Sequence, residues 1–135
     1  MKNCLILAFI FVSISYSKNT NAQGIDFYHD KSFKELLEMA KKQDKLVFMD
    51  CYTSWCGPCK RLASQVFPDT VVGNFFNTTF VNTKFDMEKD EGITIATKYA
   101  VRAYPTLLWL DADGSDNELH LVLLLCHFDH IQRRQ

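Results

Sequence analysis

Two cysteines, Cys56 and Cys59, stand three positions apart shortly after the apolar run Leu46-Val47-Phe48-Met49. A continuous apolar run of that length reads as a strand buried on both faces. Beyond the pair, Cys59, Leu62, Ala63, Val66 and Phe67 recur at helical spacing. A helix therefore starts at Cys56 or Gly57, with Pro58 in its first turn, where its missing N–H costs nothing. Strand, then helix, with the two thiols at the junction, is the restriction that the rest of the chain must satisfy.

The flanking segments extend the pattern. Ser32-Phe33-Lys34-Glu35 is a capping-box signature, and Phe33, Leu36, Leu37 and Ala40 follow at helical spacing. A helix is predicted over 32–43. Pro68 interrupts the helix after the cysteines, and Val71, Val72, Phe75 and Phe76 predict a short helical continuation after Asp69. Residues 80–86 read as a second strand, 91–99 as a helix and 106–110 as a third strand. Asp111-Ala112-Asp113-Gly114 is a turn, and Leu119–Leu125 a fourth strand hairpinned to the third. Alternating elements predict parallel neighbours joined by crossover helices, with one antiparallel hairpin at the end. The fold class is α/β.

Residues 1–22 have the layout of a secretory signal peptide. Lys2 precedes a ten-residue stretch, Leu5–Ile14, in which only Ser13 is polar, and Thr20 and Ala22 suit a cleavage site. The stretch is short for a membrane span. Residues 23–135 then form one domain, long enough for a core. Losing Lys2 and Lys18 takes the formal net charge from −1 to −3. A mildly acidic chain without basic clusters gives no reason to expect nucleic-acid or anionic-membrane binding. Export implies a compartment where disulfides persist. Cys51, inside a strand, reads as a packed core thiol, and Cys126 stands alone.

At the start of a helix, unpaired N–H groups favour negative charge, so Cys56 loses its proton more readily and is the nucleophile. Cys56 is expected to be the more exposed thiol. Cys59, one turn on, can resolve a mixed disulfide. Trp55 shields the pair on one side. Two other uses remain open on the residues alone. One is half a zinc site, completed by Cys126, His127 and His130. The other is a structural staple, although so small a loop stabilises little. Asn77-Thr78-Thr79 matches a glycosylation sequon, a weak motif.

Trp55-Cys56-Gly57-Pro58-Cys59-Lys60 after an apolar strand, with Tyr104-Pro105-Thr106 later, resembles the thioredoxin family, in particular its secreted bacterial members. The resemblance is strongest over 28–114. It implies a three-layer sandwich, a mixed sheet between helices, with a final helix short or missing here. It makes Cys56 the attacking and Cys59 the resolving cysteine, supported by Trp55, Gly57 and Pro58. Tyr104, Pro105 (in cis) and Thr106 become the substrate-binding segment. Asp50 becomes a buried acid with a raised pKa that takes the Cys59 proton through water. The lysine expected beside that acid is missing from its place: Lys84 looks offset by two positions, and Asn82 stands nearer.

The resemblance also implies an activity. The chain is expected to be an exported, periplasmic thiol–disulfide oxidoreductase that reduces protein disulfides through a Cys56/Cys59 cycle. It needs no cofactor or metal beyond that redox disulfide. Its electrons come from a thiol protein or a membrane reductase, and it has no stable membrane insertion after signal removal. The Gly-Pro pair resembles reducing members of the family. A non-catalytic peptide-binding module and a defective truncated member are the alternative readings. The ending departs from the family pattern: no glycine follows Gly114, and ten residues after Leu125 cannot make a long covering helix. Residues 115–135 are expected to be the least stable part.

Overall fold

The computed structural model describes residues 23–115. The expected signal peptide, the fourth strand, the tail and the Cys126/His127/His130 group lie outside the described residues. Within them the chain order is α1 (Phe33–Gln43), β1 (Leu46–Tyr52), α2 (Gly57–Arg61), a π-helical turn (Leu62–Val66), α3 (Thr70–Thr79), β2 (Phe80–Asp86), α4 (Asp90–Lys98) and β3 (Thr106–Leu110).

Helix α1 begins where the capping box places it. Ser32 Oγ accepts from the Glu35 N–H, and the Glu35 carboxylate accepts from the Ser32 N–H at 2.8 Å. The helix stops at Asp44, which takes the left-handed conformation (φ 51°). Asp69 caps α3 by accepting from the N–H groups of Val71 and Val72 at 2.8 and 3.0 Å. That continuation is a full ten-residue helix, longer than the sequence pattern suggested. Before it, the Phe67 N–H reaches back five residues to the Leu62 carbonyl. The wider turn swings Phe67 inward, and Pro68, lacking an N–H, ends the helix.

The three described strands lie in the order β2-β1-β3. β1 runs parallel to β2, from Leu46 opposite Phe80 to Tyr52 opposite Asp86. β3 runs antiparallel to β1, with Thr106 opposite Cys51 and Leu110 opposite Val47. The expected parallel placement of β3 is therefore corrected. The segment after α4 returns the chain to the end of β1 that leads into Cys56, and a strand entering there must run against β1. Gly114 closes the following turn with φ 78°, as the sequence predicts.

Side chains of β1 alternate between two cores, as the period of a strand requires. Val47, Met49 and Cys51 face α1 and α4, packing with Leu36, Ile95 and Leu108. Phe48 faces the opposite way, into a cluster with Leu62, Phe67 and Leu107, rimmed by Phe76 and Trp109. The Phe48 ring lies 4.7 Å from Phe76 and 5.3 Å from Trp109. Asp50 shares the parity of Phe48, so it is directed to the face covered by α2.

Residues 25–28, unassigned from sequence, run beside β2. Tyr28 makes a parallel bridge to Thr83, while Ile25 and Phe27 enter the second core. Asn77 pins this segment. Its Oδ1 accepts from the Asp26 N–H at 2.9 Å and the Asn82 amide at 3.1 Å, and its own amide donates to the Gly24 carbonyl at 3.2 Å. The sequon asparagine is thus a structural tie. Asn77→Ala is expected to destabilise the protein by about 2 kcal/mol, because the Asp26 N–H and the Asn82 amide lose their acceptor. Urea unfolding would show it, and a loss under about 0.5 kcal/mol would contradict the role.

Candidate active site

Cys56 is the N-cap of α2, and Gly57 and Pro58 fill the first helical positions. The chain arrives there from β1 through Thr53, whose carbonyl accepts the Cys56 N–H at 3.2 Å. Cys56 and Cys59 form a disulfide, S–S 2.02 Å with Cα atoms 5.3 Å apart. The Cys59 N–H donates to Cys56 Sγ at 3.1 Å. One of the orphan donors at the helix start is therefore aimed at the sulfur expected to carry negative charge. A side chain at Gly57 would meet nothing, so its support for the pair is not steric.

The expected greater exposure of Cys56 concerns the reduced thiols, and the disulfide form does not show it. In this disulfide form Cys56 is 2% exposed and Cys59 4%. Cys56 turns its sulfur back over the first turn of α2 to bond Cys59, which hides both. Trp55 itself is 65% exposed. Its indole N–H donates to both Glu88 carboxylate oxygens at 3.0 and 2.9 Å, and its ring meets Tyr104 edge-on at 6.0 Å.

Tyr104 is thereby brought to the residue preceding Cys56. The Tyr104–Pro105 bond is cis. Pro105 is buried immediately before Thr106, which pairs with Cys51 and donates its hydroxyl to the Ala103 carbonyl at 2.8 Å. The three residues of the expected substrate segment thus lie at the Cys56 end of the sheet. Burial, followed by the charge of Glu88, pushes the Tyr104 hydroxyl pKa up.

Beneath the disulfide, Asp50 is 3% exposed. Burial lifts its carboxyl pKa to about 7, against a smaller opposing pull from Lys84. Lys84 is the register partner of Asp50, whereas Asn82 pairs with Phe48. The expectation that Lys84 is offset and Asn82 nearer is overturned, because the strands pair two residues away from the register assumed. Asp50, Thr53, Cys59, Lys60 and Lys84 line one cavity of about 200 Å³. Cys51 is fully buried, a free thiol whose pKa is pushed up by burial and then by Asp50.

Sequence reasoning missed Glu88, Thr53 and the placement of Lys84. Glu88 lies just past β2 at the same end of the sheet as Cys56, and parallel pairing of β1 with β2 was the signal for it. Among the described residues no group of three or more His, Cys, Asp or Glu side chains is placed to hold a metal, and no helix is long and apolar enough to cross a membrane.

A family model described as Thioredoxin matches residues 25–120. The chain belongs to the thioredoxin family. Thioredoxin-1 of Drosophila yakuba is 37% identical over 78 residues, which is 58% of this chain and 66% of that protein. The thiol:disulfide interchange protein DsbD of Pseudoalteromonas atlantica is 31% identical over 85 residues, 62% of this chain and 14% of DsbD. The match thus spans less than two thirds of either relative. The solution structure of a Bacteroides thetaiotaomicron protein assigned as a disulphide-isomerase is 52% identical. It superposes with a TM-score of 0.62, covering 70% of this chain and 77% of that one. The thioredoxin-family chain carries, in its Cys56–Cys59 disulfide, the CxxC redox pair that the resemblance led one to expect.

Proposed function

We propose that this chain is a thiol–disulfide oxidoreductase that reduces protein disulfides. The observation that carries the reading is the Cys56–Cys59 disulfide at the start of α2, with a buried carboxyl of near-neutral pKa lining the cavity beneath it. In the reduced protein Cys56 thiolate attacks a substrate disulfide, and one substrate sulfur leaves with the electron pair. The Cys59 N–H donated to Cys56 Sγ favours that thiolate. Cys59 then gives its proton toward Asp50 and attacks Cys56 Sγ. The second substrate sulfur departs, and the enzyme is left as the disulfide seen here.

Two electrons from a dithiol protein or membrane reductase restore the cycle, and no further cofactor enters. Tyr104, Pro105 and Thr106 form the wall against which an extended substrate lies, with Trp55 at its edge. The leader-like residues 1–22 and the resemblance to DsbD support a periplasmic setting. Reduction of a disulfide-linked peptide carrying a fluorophore–quencher pair, with dithiothreitol as the terminal donor, tests the activity. Addition of the protein is expected to raise the rate by at least about tenfold over donor alone. No acceleration between pH 6 and 8 would remove the reading.

A further inference from the structure

Two buried polar atoms at the end of β1 that leads into α2 have no protein partner: Asp50 Oδ1 and Thr53 Oγ1. Asp50 is 3% exposed and Thr53 1%. Both residues line the 200 Å³ cavity that Cys59 also lines. A buried hydroxyl left unsatisfied is destabilising. A cavity of about 200 Å³, well above the roughly 15 Å³ that one water needs and carrying the polar groups of Asp50, Thr53, Lys60 and Lys84 on a largely apolar lining, admits water that satisfies both atoms.

We propose that Thr53 is a positioning residue for the resolving step, its hydroxyl holding the cavity water that carries the Cys59 proton to Asp50. The inference deepens the proposed oxidoreductase reading and rests on it. The chemistry of the lining favours a hydroxyl. Lys60 and Lys84 only donate when charged, whereas a threonine hydroxyl donates and accepts at once, as a water chain needs. Tyr52 and Ser54 are the other hydroxyl residues on this lining; Ser54 is exposed, and burial, ahead of the Asp86 charge, raises the Tyr52 pKa. The backbone of Thr53 is held to the disulfide through the Cys56 N–H, so its side chain keeps a fixed place relative to Cys59. The step balances. The Cys59 proton passes through water to the Asp50 carboxylate, a bond forms between Cys59 and Cys56 sulfurs, and the Cys56–substrate bond breaks with its electron pair leaving on the substrate sulfur.

Thr53→Val keeps the shape and removes the hydroxyl, and Thr53→Ser keeps the hydroxyl. The first readout is the titration of the Asp50 carboxyl carbon by NMR in the oxidised proteins, which needs no turnover. Thr53→Val is expected to raise the midpoint by about half a unit or more, since the charged carboxylate loses support. The second is the single-turnover rate of mixed-disulfide resolution across pH 6–8. Thr53→Val is expected to slow it about tenfold near pH 7, Thr53→Ser less than about threefold, and Tyr52→Phe less than Thr53→Val. On an Asp50→Asn background Thr53→Val should add almost nothing. A midpoint indifferent to Thr53→Val, or equal slowing with and without Asp50, overturns the relay while leaving the activity standing. A wild-type protein that reduces no disulfide overturns both.

Discussion

Cys56→Ser is expected to abolish disulfide reduction, lowering kcat/KM by at least about 1,000-fold, roughly 4 kcal/mol of barrier. Cys59→Ser is expected to attack substrate normally and then stall as a mixed disulfide through Cys56, visible by mass spectrometry. Exposure does not separate the two sulfurs, since both are buried in the disulfide. The assignment rests on the Cys59 N–H pointing at Cys56 Sγ and on the N-cap position of Cys56. Neither variant should unfold: the closed loop is so short that losing the bridge costs about 2 kcal/mol or less. Adducts accumulating on Cys56→Ser instead of Cys59→Ser would reverse the roles.

The second large effect concerns Asp50 and stability against pH. Burial raises its carboxyl from 3.8 to about 7 in the folded protein. Between those values the folded chain holds a proton that the unfolded chain has released. The resulting stability is fully present below about pH 4 and is lost as pH rises through about 7. A shift of roughly three units corresponds to a loss on the order of 4 kcal/mol. Asp50→Asn should remove most of that slope. At pH 8 the variant is expected to be more stable than wild type by about 2–4 kcal/mol, the lower figure applying where its buried amide finds few partners. Turnover at that pH should fall about tenfold, because the resolving thiol has lost its proton acceptor. Urea unfolding of both oxidised proteins at pH 5 and pH 8 reads the difference directly. An identical pH slope in the two proteins would mean that the carboxyl titrates as if it were exposed.

These two predictions draw on different parts of the chain's information. The CxxC pair, the strand before it and the helix after it were legible because each is local. An apolar run, a proline tolerated only in the first helical turn and a helical period all lie within about twenty residues. For the same reason the Ser32/Glu35 capping box and the Gly114 turn came out where the sequence placed them. The strands at 80–86 and 106–110 have the bounds read from their apolar content.

Strand direction, register and burial were decided elsewhere. β3 opposes β1 because the chain re-enters at the Cys56 end, which depends on the path of residues 99–105 rather than on their composition. Lys84 stands beside Asp50 only once β1 and β2 pair from Leu46 opposite Phe80 onward. A two-residue error in register keeps every side chain on its correct face, so the apolar pattern cannot detect it. Whether Cys56 or Cys59 is the more exposed, which atoms of Asp50 and Thr53 go unpartnered, and how far the Asp50 pKa rises are all set by neighbours distant in sequence. The chemistry available at the site was written in the local sequence. The dielectric, proton partners and contacts in which it operates came from segments brought together only by the tertiary fold.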